Sequence, residues 1–119
     1  MNRSTVIVLI AGLSVATTAL ASHAAEACSI HPPKGASKAK LMSMAKRTRG
    51  NAERIALKRI KERGTVAEGE LEAERGCLIW SFDIKVAGRA GVEEVNVDAG
   101  NGKVLNVHHE SANQKASGQ

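Results

Sequence analysis

Cys77-Leu78-Ile79-Trp80-Ser81-Phe82-Asp83-Ile84-Lys85-Val86 is the stretch on which the fold turns. Leu78, Trp80, Phe82, Ile84 and Val86 fall on every second residue, the period that sends side chains to one face of a β-strand. That face holds the chain's single tryptophan and single phenylalanine, its largest apolar side chains, so burial of this face is expected to organise the core.

Working outward, Arg75-Gly76 is a two-residue connection, so the preceding segment is expected to form a hairpin with the Trp80 strand. That segment, 65–74, alternates Ala67, Gly69, Leu71 and Ala73 with Glu68, Glu70, Glu72 and Glu74, which predicts a strand with an acidic solvated face. On the far side, residues 88–91 supply a turn and residues 92–98 a third strand with Val95 and Val97 inward. Gly100-Asn101-Gly102 supplies another turn, and residues 104–108 a short fourth strand.

Upstream, Ser37 is placed to cap a short helix carrying Leu41, Met44 and Ala45, and Gly50 with Thr48 is expected to separate it from the next. Thr48 can cap a second helix running to about Arg63 and closed by Gly64. Its stripe of Ala52, Ile55, Ala56 and Ile60 faces one way, while Arg54, Lys58, Arg59 and Lys61 point elsewhere. The predicted class is α+β: one main amphipathic helix packed on a three- to four-stranded antiparallel sheet. The expected core is Leu71, Trp80, Phe82, Ile84, Val95, Val97, Ile55 and Ile60.

The first residues are of another kind. Arg3 precedes an uncharged apolar run, and Ser22-His23-Ala24-Ala25 offers the small residues that a signal peptidase reads, so 1–24 is expected to be a signal peptide and not a membrane anchor. The protein is then expected to be periplasmic or secreted. Residues 25–47 form a lead-in arm with the short helix, 48–110 the domain, and 111–119 a disordered tail.

The chain has 119 residues and a net charge of +5, unevenly spread. Residues 34–63 hold eleven Lys or Arg against Glu53 and Glu62, whereas 64–110 hold nine acidic residues against four basic ones. This predicts one basic and one acidic side. Export, the scarcity of aromatic residues and the acidic second half argue against nucleic acid. Arg54, Lys58, Arg59, Lys61, Glu68, Glu70 and Glu72 form the candidate partner face, for an envelope protein or an anionic membrane surface.

Cys28 and Cys77 are the only cysteines. In an exported chain an even count reads first as a disulfide, with two free or intermolecularly bonded thiols as the alternative. His31, beside two prolines, reads as a solvated side chain. No Cys-x-x-Cys, His-Glu-x-x-His or Gly-x-x-x-x-Gly-Lys motif is present, and no Ser-His-Asp set has spacing to support it. His108 and His109 would face opposite sides of a strand, and four glutamates along one strand stand too far apart to grip an ion, so no metal site, cofactor or catalytic residue is nominated. Asp98 reads as a structural acceptor for its turn.

Ala52-Glu53-Arg54-Ile55-Ala56-Leu57, Glu70-Leu71-Glu72, Trp80-Ser81-Phe82-Asp83-Ile84, and Glu94-Val95-Asn96-Val97-Asp98-Ala99 followed by Gly102-Lys103-Val104-Leu105 together resemble the PepSY domain. The resemblance spans residues 48–107. Asn101 departs from the threonine common before that glycine, and Cys28 and Cys77 lie outside the general pattern. Similar modules occur in propeptides of thermolysin-type secreted metallopeptidases. The resemblance implies an exported, non-catalytic module that binds or restrains a peptidase, or that senses and regulates at the envelope. A small-ligand or metal carrier is the second reading.

Overall fold

The computed structural model describes residues 28–61 and 63–113. The expected signal peptide, the start of the arm and the tail from residue 114 lie outside them. The fold is α+β, with two helices, α1 (Lys38–Met44) and α2 (Arg49–Arg59), followed by strands β1 (Gly64–Glu74), β2 (Cys77–Val86), β3 (Val92–Asp98) and β4 (Val104–Glu110). The strands form one antiparallel sheet in the order β1-β2-β3-β4. Among the described residues no helix is long and apolar enough to cross a membrane.

Both helices are capped as their sequences predict: the Ser37 hydroxyl accepts from the Lys40 N–H, and the Thr48 hydroxyl from the Asn51 N–H, each at 3.2 Å. Contrary to the break expected at Gly50, this residue sits inside the first turn of α2, and Thr48 alone marks the boundary as its N-cap. Helix α2 also ends earlier than its composition suggests. Ile60 is extended, turning its side chain onto the core, and the Arg63 carbonyl already accepts from Ala87 N–H at the sheet margin. Gly64 therefore opens β1 and does not close the helix. A Cβ there would stand 2.6 Å from Ile84 Cγ2, so only glycine lets the strand pass this close.

The core lies between the helices and one sheet face. Leu71, Trp80, Phe82, Ile84, Val95 and Val97 are buried there with Leu78, Val86, Leu41, Ala52, Ala56 and Ile60. Ile55 is only half-buried and packs on the margin of this cluster, because Ala52 and Ala56 bring the helix backbone close enough to take the central place. The Trp80 and Phe82 rings stack with centroids 6.3 Å apart, and Trp80 Nε1 donates to the Arg47 carbonyl at 2.9 Å.

The hairpin at Arg75-Gly76 has positive φ at both residues, 50° and 78°, the left-handed pair that two-residue hairpins use. It sets Leu71 opposite Trp80 and Glu68 opposite Asp83. A bulge then inserts Ala67, which points to solvent, while Val66 takes the inward place expected for it. Ala73 is exposed as well, beside the Pro32-Pro33 segment.

Candidate functional site

Helices cover one face of the sheet; among the described residues only the arm at Cys28 and Ser29 reaches the opposite face, at one end, and register shows what that face carries. Pairing places Glu68, Asp83, Glu94 and His108 in one row across the four strands. Glu70, Ser81, Asn96 and Asn106 form the next row, and Glu72, Ile79 and Asp98 a third. Glu110, two residues beyond His108, shares this side.

One end of the open face is acidic. Carboxylate oxygens of Asp83, Glu94 and Glu110, contributed by β2, β3 and β4, lie within 4.8 Å of one another. All three side chains are half-buried. Glu94 is pushed up to about 7, first by burial and then by the hydrogen bond and charge of Glu110, with smaller repulsion from Glu74 and Asp83. Burial also raises Glu72, against a hydrogen bond with Ser81 that lowers it. The trio is the set of groups here best arranged to hold a cation. Neighbours along β1 stand too far apart for this; the convergence is across strands.

The other end is apolar. Ile79, Leu105 and the Cys28–Cys77 disulfide form a small cluster separate from the main core. Ile79, Leu105 and Cys77, with Glu74, Arg75, Asn96 and Asn106, line a hollow of about 60 Å³. Asn96 is only 6% exposed, and its Oδ1 has no hydrogen-bond partner among the described residues. A buried carbonyl left so costs roughly 1–3 kcal/mol, which a donor arriving from outside would offset.

The disulfide ties the arm over this end of the sheet, and it is a bond of oxidising compartments. Next to it the Ser29 N–H and hydroxyl donate to Asp98 at 2.7 and 2.5 Å, and Gly100 and Asn101 N–H groups donate at 2.7 and 3.1 Å. Burial alone would raise Asp98; these hydrogen bonds outweigh it and hold the carboxyl below its usual range. The expected turn role of Asp98 is observed, and the arm adds a second one. His31 is not merely solvated: its ring lies 3.7 Å from Cys28 Sγ and its Nδ1 3.0 Å from the Gly76 carbonyl.

The histidine tandem is split as strand geometry requires. His108 stands opposite Glu94 on the open face, whereas His109 Nδ1 meets Glu93 Oε1 at 2.8 Å under the end of α2, with Arg89 on the same carboxylate. The candidate partner face is likewise split. Arg54, Lys58, Arg59 and Lys61 are exposed on the helix side; Glu68, Glu70 and Glu72 lie on the open sheet face. Helix packing on the opposite side of the sheet divides them into two surfaces.

No family model matches this chain, and no curated protein or solved structure is similar enough to count as a match.

Proposed function

We propose that this protein is an exported, non-catalytic binding module of PepSY type that acts on another envelope protein, such as a peptidase or a sensor. What supports the reading is the asymmetry of the sheet: among the described residues one face is roofed by α1 and α2, while the other is left open, carries a carboxylate cluster and holds a buried Asn96 Oδ1 with no partner among them. The order of helix and antiparallel meander is compatible with the PepSY resemblance, and the disulfide accords with export. Recognition then belongs to the open face, and the helices serve as the scaffold behind it.

Photo-crosslinking tests this. A crosslinking amino acid at Ser81 or Glu70, on the open face, should give a discrete adduct in an envelope extract, and the same group at Arg54 on α2 should give none. Adducts from Arg54 alone, or from no position, reject this function.

A further inference from the structure

We infer that Cys28, His31 and Cys77 become a binding site for a thiophilic divalent cation of the zinc class when the bond between the two cysteines is reduced. The site does not rest on the open-face recognition proposed above. Its ligand atoms, the two Sγ atoms and a His31 ring nitrogen, lie within 4.8 Å of one another. Two thiolates and an imidazole suit Zn2+, and three protein ligands leave the fourth tetrahedral position open. Cys28-Ser29-Ile30-His31 also puts two residues between its ligands, the spacing of metal-binding Cys-x-x-Cys turns.

His31 is set for this role by a bond it already makes. Its Nδ1 lies 3.0 Å from the Gly76 carbonyl, which only accepts, so Nδ1 carries the proton and Nε2 keeps its lone pair. A histidine anchored through its other N–H to a backbone carbonyl is the arrangement that fixes ring and tautomer at zinc sites. Nε2 stands 3.9 Å from Cys28 Sγ. A sulfur and a nitrogen sharing one tetrahedral zinc stand about 3.6 Å apart, given bonds of about 2.3 and 2.05 Å. His31 is exposed while both cysteines are buried, so the ring marks the side from which an ion enters.

The arm has other ties that keep this geometry after reduction. Ser29 donates twice to Asp98, at 2.7 and 2.5 Å, the Ile30 carbonyl accepts from the Leu78 N–H at 3.0 Å, and His31 donates to Gly76. Each of the three residues after Cys28 is thus bonded to the sheet or its hairpin, and Gly76 and Leu78 flank Cys77. A dithiol reductant turns the bond into two thiols and is itself oxidised to a disulfide; Zn2+ then displaces one proton from each thiol. Bond and ion exclude each other, so the redox state of the pair decides whether metal is held.

The probe is Co2+, a coloured substitute for Zn2+, titrated anaerobically into the chain reduced with a phosphine and then displaced by Zn2+. One Co2+ per chain should give thiolate-to-metal charge transfer and the d–d bands of a tetrahedral site, and Zn2+ should displace it with a Kd below about 1 μM. The disulfide-bonded chain should give neither band. His31→Ala should weaken Zn2+ binding by about tenfold or more. His31→Cys should restore tight binding with a stronger charge-transfer band, because a third thiolate replaces the imidazole; a purely structural histidine gives no such rescue. Glu94→Gln with Glu110→Gln should leave the affinity unchanged, since the open-face carboxylates are not ligands. Near-ultraviolet dichroism of Trp80 in the zinc-loaded chain should match that of the disulfide form.

Absence of the cobalt bands from the reduced chain, or equal Zn2+ affinity in wild type and His31→Ala, overturns the inference. So does equal affinity in the reduced and disulfide-bonded chains. One ion per two chains would make the metal a bridge between copies and also refutes the site, as does zinc binding that leaves Trp80 without its folded signal.

Discussion

The Ser29 hydroxyl donates to Asp98 Oδ1 at 2.5 Å across 69 residues of chain, and this bond joins the arm to the β3–β4 turn. The same carboxylate accepts from three backbone N–H groups, so a single ionised side chain holds two segments that touch the core from opposite ends of the sequence.

Asp98→Asn keeps the shape and removes the charge that strengthens those bonds. Hydrogen bonds to charged groups contribute about 2 kcal/mol, so the variant should lose roughly 10 °C in Tm. Thermal unfolding at pH 7 measures it. Because Asp98 is held below its usual range in the folded state, its contribution is present above pH ~4 and is lost as pH falls through the folded value. The gap between wild type and Asp98→Asn should therefore narrow below pH ~4; a gap independent of pH refutes the assignment.

Glu94 works in the other direction. Its folded value, about 7, stands above the unfolded one, so the folded chain binds the proton more tightly. The associated stability is full below pH ~4.5 and is lost as pH rises through about 7. Tm should fall by a few degrees between pH 5.5 and 8, and Glu94→Gln should flatten that slope. An unchanged slope in the variant contradicts the crowding of Glu94 with Glu110.

The Cys28–Cys77 bond closes a loop of sequence separation 49. Chain entropy gives such a cross-link up to about 4 kcal/mol. Cys28→Ser with Cys77→Ser should lower Tm by at least 10 °C on the scaling of roughly 4–8 °C per kcal/mol. Amide exchange should show why: the Leu78 N–H, bonded to the Ile30 carbonyl at 3.0 Å, should lose protection before the N–H groups at the centre of β2.

Glycines separate packing from conformation. A Cβ at Gly69 would stand 2.8 Å from the Phe82 ring, whereas at Gly50 it would meet nothing within 4 Å. Gly69→Ala should destabilise by about 1–3 kcal/mol as the ring is forced aside. Gly50→Ala, in a helical turn, should stabilise by about 0.5–1 kcal/mol. Denaturant midpoints of the two variants should move in opposite directions.

Much of the sheet was legible because period two and a tight turn are local signals. Arg75-Gly76 dictates that Leu71 faces Trp80, and the count holds back to Glu68. It fails at Ala67, where a bulge between Val66 and Glu68 shifts the register and turns Ala67 to solvent. The early end of α2 was hidden too. Lys61 and Arg63 suit a helix, but the chain must turn back within a few residues to start β1 beside β2. His31 looked inert among prolines because its neighbours, Cys28 and Gly76, come from the arm and the hairpin. The trio of Asp83, Glu94 and Glu110 is spread over 28 residues with no motif spacing, and antiparallel register alone brings it together.

Sequence alone determined the strands, the helix caps, the hairpin turn and the segregation of basic and acidic halves, since each follows from side-chain period, backbone conformation or charge within a short window. Tertiary structure decided which sheet face the helices would leave bare, which carboxylates would crowd there, and that Asn96 Oδ1 would be buried with no partner among the described residues. Those properties are distances between strands, and a chain acquires them only when register, bulges and the Cys28–Cys77 bond act at once.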